Sequence, residues 1–158
     1  TINTWVYFNS LVSTSLLPAV FNLGSYTAQN PGNTVNGTIA FYSGSGNNNN
    51  LYAGFYDVPS GGWHVVPTGY AVSTGTWYNG VMTYDGSYIR YYINNSLISY
   101  LAVTSTTMTN AVGYRVARRW DAYDTVDAYV PVAMVYNRAL STTEITSNFN
   151  YHRGRYGL

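Results

Sequence analysis

This sequence predicts an all-β fold, a two-sheet antiparallel sandwich with one short C-terminal helix. Three observations carry that prediction. The chain of 158 residues holds 18 Tyr and four Trp, residue types that suit pleated, half-buried surfaces. Its apolar residues fall in short runs bounded by Gly, Asn, Asp and Pro clusters. Two tight-turn signals, Asp85-Gly86 and Asn94-Asn95, join three such runs between Trp77 and Val103.

The elements follow in order. Thr1 to Asn9 alternates Trp5 and Tyr7 with small polar residues and reads as a strand. Leu11 to Leu23 is apolar but broken by Pro18. Thr38 to Ser43 and Leu51 to Asp57 are two strands, separated by the polar loop Gly44 to Asn50. Pro59 to Gly62 is a turn, and Trp63 to Val66 a short strand closed by Pro67. Trp77 to Tyr84, Tyr88 to Ile93 and Leu97 to Val103 form a meander. Within it Ile89, Tyr91 and Ile93 share one face, and Tyr88, Arg90 and Tyr92 the other. The first turn is expected to place Asp85 and Gly86 at the tip with φ > 0, and the second relies on the tolerance of Asn for the left-handed region. Ala111 to Ala117 and Tyr129 to Tyr136 are further strands, and Pro131 marks the latter as an edge or bulged strand.

The helix has a start signal. Ser141-Thr142-Thr143-Glu144 is a capping box, in which the Ser hydroxyl accepts from the Glu amide and the Glu side chain reaches back. Ile145 and Phe149 then stack on one face, and Gly154 ends the segment.

The whole span, 1–158, suits a single domain with one core. It begins at Thr1 rather than Met, so it is expected to be part of a longer polypeptide. The net charge of +1 supplies no field to gather nucleic acid or an anionic membrane, so neither is expected as a partner. Cys is absent, which removes disulfides and thiolate metal sites. No cofactor is expected.

Several stretches carry a resemblance. Thr74 to Val81, Tyr84 to Ser87 and Tyr91 to Asn95, with Val135 to Ser141 and Glu144-Ile145, resemble the concanavalin A-like lectin/glucanase superfamily, in its laminin-G-like and pentraxin-like branch. Thr1 to Val6 resembles the early strand of that branch. The resemblance implies a jelly-roll sandwich with a concave sheet. It also implies a strand before Thr1 to Val6, so the chain is expected to lack its first strand or to receive it from elsewhere. The tail Asn148 to Leu158 is similar to the endings of lectin-like structural proteins of tailed bacteriophages.

Candidate chemistry is sparse. Glycosidases on this sandwich need paired carboxylates. The only Glu, Glu144, is explained by its cap, and Asp85 by its turn. Asp121, Asp124 and Asp127 recur every third residue, an oxygen-rich spacing a hard cation could use. Arg118 and Arg119 just upstream make ion pairing the favoured reading, and no metal site is assigned. A sugar needs an aromatic platform beside polar groups. Trp120, Asp121 and Tyr123 offer that pairing, as do Trp63 and His64, and these are the candidate ligand-binding residues. Packing alone is the competing explanation for each Trp, and the favoured one for Trp63 and Trp77.

The favoured reading is a virion structural protein: a capsid decoration, fibre or tail component bound to other virion proteins or to copies of itself, and touching surface glycans. The alternative is a carbohydrate-binding or adhesion domain of a secreted, extracellular protein. A glycan hydrolase is the least favoured, and no catalytic residue is assigned. An open sheet edge without Lys, together with low charge, predicts an oligomer.

Overall fold

The computed structural model describes residues 1–11, 19–25, 34–42, 50–57, 62–66, 69–103, 114–117 and 127–158. The polar loop expected at 44–50 lies outside them apart from Asn50, as do residues 111–113 of an expected strand. The described strands are β1 (Ile2–Phe8), β2 (Ala19–Ser25), β3 (Thr34–Tyr42), β4 (Asn50–Asp57), β5 (Gly62–Val66), β6 (Trp77–Tyr84), β7 (Tyr88–Ile93), β8 (Ser96–Ala102), β9 (Tyr114–Val116) and β10 (Ala128–Val135), followed by helix α1 (Thr142–Arg153).

The strands make two five-stranded sheets, ordered β10-β1-β6-β7-β8 and β5-β4-β3-β2-β9. All pairings are antiparallel. The sheets face each other, with β3 over β6, β4 over β7 and β5 beside β8. Alternation along the strands builds the core between them. Ile2, Val6 and Phe8 of β1, Tyr78 and Met82 of β6, and Ile89, Tyr91 and Ile93 of β7 meet Val20, Phe21, Leu51, Ala53 and Val66 from the second sheet. Each buried Val, Leu, Ile, Phe or Met among them stabilises the fold by roughly 1.5–3 kcal/mol through removal from water. The two faces expected for Tyr88 to Ile93 are the two faces observed.

The first sheet is apolar on its outer face as well, and the chain's own helix covers it there. Val81, Tyr92, Leu140 and Ile145 form a second buried cluster, with Tyr136 against it. Trp5 is fully buried, stacked on Phe149 at 5.6 Å and packed on Tyr156 at 4.6 Å. Trp77 also belongs to this packing, 4.3 Å from Tyr156 and 5.2 Å from Tyr7. Beneath α1 the Asn79 side-chain amide donates to Asn3 Oδ1 at 2.7 Å and to the Thr4 carbonyl at 3.0 Å, so the buried polar seam of β1 and β6 is cross-linked.

The helix begins as the capping box requires. Ser141 is its N-cap, its hydroxyl accepts from the Glu144 amide, and the Glu144 carboxylate accepts from the Ser141 amide at 2.9 Å. Ile145 and Phe149 are the two buried residues of α1.

Two expectations shift. The first hairpin tip is Gly86-Ser87, one residue later than expected, and Gly86 alone there has positive φ. Asp85 is held outside the tip because its Oδ1 accepts from the Ser87 and Tyr88 amides, at 2.9 and 2.8 Å. The second tip matches, with Asn94 at φ 48 and Asn95 at φ 68. No open edge lies beside β1, because β10 pairs with it on one side and β6 on the other. Strand β10 is itself an outer strand, and its register slips between Val132 and Tyr129, which places Pro131 at both an edge and a bulge.

Candidate functional site

The residues expected to bind ligand do not form one described site. Trp120, Asp121 and Tyr123 lie outside the described residues, as does Asp124. Trp63 lies in β5, its backbone opposite Tyr56, and the half-buried His64 stands opposite Phe55. Strand β5 is at one edge of the second sheet, and β9, which leads toward residue 120, is at the other. Asp127 ties down the end of β1, accepting from Asn9 Nδ2 and Ser10 Oγ at 3.0 Å each. Among the described residues no three His, Asp or Glu side chains gather as a metal would require.

The outer face of the first sheet also carries an opening. A groove of about 340 Å³ opens between the β6–β7 hairpin and the turn into α1, lined by Thr83, Asp85, Arg90, Tyr92, Ala139, Leu140, Ser141 and Thr142. Its position follows from local structure. Leu140 is buried against Val81 and Tyr92, which anchors the turn to the sheet. Thr1 Oγ1 fastens the same turn, accepting from the Leu140 amide at 2.9 Å and donating to the Arg138 carbonyl at 2.8 Å. Arg138 grips Glu144 with both terminal nitrogens, at 2.9 and 2.5 Å.

The opposite wall is the hairpin. Thr83 and Arg90 pair in register, as do Arg90 and Tyr100. Arg90 donates from Nη1 to Asp85 Oδ2, and its guanidinium lies 5.0 Å from the centre of the Tyr88 ring. Tyr88 meets Tyr100 edge-on at 6.0 Å, and Tyr100 is 62% exposed. An exposed aromatic shelf therefore adjoins the charged end of the groove.

Electrostatics fix the roles of the two acids. The Arg90 hydrogen bond, then the hairpin amides, hold Asp85 down to about 2. Arg138, then Ser141, hold Glu144 down to about 2. Both are ionised at neutral pH, and both are committed to partners. Thr83 is 2% exposed, and Tyr92 is also buried, yet both line the groove and neither hydroxyl has a hydrogen-bond partner among the described residues. Neither hydroxyl oxygen is among the sealed, unpartnered atoms of the interior, so solvent in the groove reaches both.

Sequence reasoning assigned Asp85 and Glu144 to the turn and the cap, and that is where they are. It did not single out Thr83, Arg90 and Tyr92 as lining a groove, or Tyr100 as an exposed aromatic near it. The available signal was the hairpin itself: alternation puts Tyr88, Arg90 and Tyr92 on the face away from the core, five residues or so from Asp85.

The chain belongs to the concanavalin A-like lectin/glucanases superfamily, whose laminin-G model matches residues 1–146. No curated protein matches the sequence. Solved structures with the same fold include domain 4 of an extracellular arabinanase from Geobacillus stearothermophilus, in complex with arabinotriose. It is 18% identical with a TM-score of 0.65, over 92% of this chain and 64% of that one. The receptor-binding domain of botulinum neurotoxin type G is 14% identical with a TM-score of 0.68, over 96% and 37%. The heptameric pentraxin of Limulus polyphemus is 14% identical with a TM-score of 0.65, over 92% and 66%. At these identities the likeness is one of fold, and the chain spans 64% and 37% of the first two structures.

Proposed function

We propose that this chain is a carbohydrate-binding module that works by contact and not by catalysis, with the groove beside α1 as its sugar site. The observation that carries this reading is the groove's composition. A tyrosine shelf suits the C–H face of a sugar ring, and hydroxyls with a fixed Asp–Arg pair suit its oxygens. The arabinotriose held by the arabinanase domain supports the reading by analogy of fold. No second carboxylate lines the groove beside Asp85, whereas acid–base glycosidases need two. The test is a glycan array probed with the wild-type chain and with Arg90→Ala and Tyr100→Ala. Loss of the wild-type signal in both variants is expected; full retention in both assigns binding elsewhere.

The setting we propose is the virion of a tailed bacteriophage, as a decoration, fibre or tail component. The support is the resemblance of Asn148 to Leu158 to such proteins. A surface suited to self-association adds to it. Strand β8 is an outer strand with neither Pro nor a charged residue, and Leu97 near its start is exposed. Sedimentation of the isolated domain is expected to show an oligomer, and a stable monomer contradicts that part of the proposal.

A further inference from the structure

We propose that His152 is a pH-sensitive latch: charging its imidazole releases the end of α1, and the turn that follows it, from Trp5 and Trp77. The device lies at the far end of the helix from the groove and stands apart from the sugar reading.

The latch closes on aromatic packing. Three rings of the C-terminal segment pack on the fully buried Trp5: Phe149 at 5.6 Å, Tyr156 at 4.6 Å and His152 at 6.3 Å. Tyr156 also lies 4.3 Å from Trp77. The turn that delivers Tyr156 is folded back on the last helical residues. The Arg155 amide donates to the His152 carbonyl at 3.0 Å, and the Tyr156 and Leu158 amides to the Arg153 carbonyl at 3.0 and 3.2 Å. His152 thus stands where the helix meets the turn, with its ring against the tryptophan that both cover.

The imidazole fits this place only when neutral. Its Nδ1 is sealed from solvent and has no hydrogen-bond partner among the described residues. An imidazolium carries N–H on both nitrogens, so charging sets a donor where neither water nor an acceptor meets it. The indole of Trp5, at 6.3 Å and tilted by 58°, lies outside the usual reach of a cation–π pair. The other groups around the ring bring no carboxylate. Tyr151 faces it from α1, and Arg155, from the turn, adds a like charge. Burial first, then Arg155, hold the imidazole below its ordinary 6.5. A helix C-terminus favours a cation, but the His152 carbonyl already accepts from the Gly154 and Arg155 amides, which offsets that end. A base held below its unfolded value binds fewer protons when docked than when released. The docked end is therefore fully stable above pH 6.5 and weakens as pH falls below it, levelling off once the docked ring itself charges. Asp85 and Glu144 have unfolded values of 3.8 and 4.5, so their loss belongs to a lower range.

NMR of the whole chain, titrated from pH 6.5 to pH 4.5, tests this. His152 is expected to titrate with a midpoint below 6.5. Over the same range the Trp5 indole N–H, sealed in the docked state, should begin to exchange with water. The Arg155, Tyr156 and Leu158 amides should lose protection, after correction for the intrinsic pH dependence of exchange, while the Ile145 amide at the capped end keeps its own. His152→Gln, which cannot charge there, should abolish both losses. Arg155→Gln should move the His152 midpoint upward, and an unmoved midpoint overturns the part given to Arg155. A wild-type midpoint at or above 6.5 overturns the latch without recourse to a variant. So does a Trp5 indole that stays sealed once His152 has charged, or an equal loss of protection in His152→Gln.

Discussion

Thr83 and Arg90 are register partners across the β6–β7 hairpin, so the two residues line one groove side by side. The pairing separates binding from stability. The Thr83 side chain makes no hydrogen bond among the described residues, so Thr83→Val should change the folding free energy by less than about 0.5 kcal/mol. Denaturant titration checks this, and a loss of several times that size would show that the hydroxyl is structural.

The α1 cap is a second point of test. Ser141→Ala removes the acceptor of the Glu144 amide and should cost about 1 kcal/mol. Denaturation of the two proteins side by side measures it, and a difference near zero would mean the cap is unformed in solution.

Acid should loosen the groove's two walls. Asp85 and Glu144 are lowered from ordinary values of 3.8 and 4.5 to about 2 by their arginines. A depressed carboxylate stabilises above its unfolded value, so this contribution is complete above pH 4.5 and is lost as pH falls through about 2. Both pairs are exposed and screened, so the effect is modest. The melting temperature should decline between pH 4.5 and pH 2, and Glu144→Gln should flatten part of that slope. An unchanged slope in the variant would count against the pairing.

Gly54 sits where β4 and β5 approach most closely. A Cβ there would lie 2.2 Å from the His64 carbonyl oxygen, a backbone atom that cannot turn aside. Gly54→Ala should destabilise by about 1–3 kcal/mol. The control is Gly154→Ala, where the added methyl meets nothing within 4 Å. Equal stability of the two variants contradicts the crowding at β4 and β5.

The fold was legible because its signals are local. The meander from Trp77 to Val103 follows from alternation and two turns, and the helix from Ser141 and Glu144. The Asp85 turn was misplaced by one residue because Asp85 spends its side chain on the Ser87 and Tyr88 amides, a competition that turn propensity does not weigh. The covering of Trp5 was not legible. Its partners Phe149 and Tyr156 are more than 140 positions away. The groove was hidden for the same reason, since it joins a hairpin at 83–92 to a turn at 139–142. Trp63 and Trp120 were the candidate sugar platforms in the sequence, whereas the described shelf is made of Tyr88 and Tyr100.

The most direct test of the groove as the sugar site is amide chemical-shift mapping with a glycan that the array identifies. The account predicts perturbations concentrated at Thr83, Asp85, Arg90, Tyr92, Ser141 and Thr142, with Tyr88 and Tyr100 beside them. A glycan whose perturbations fall on the second sheet, around β5 and β4, with those residues unmoved, would contradict it.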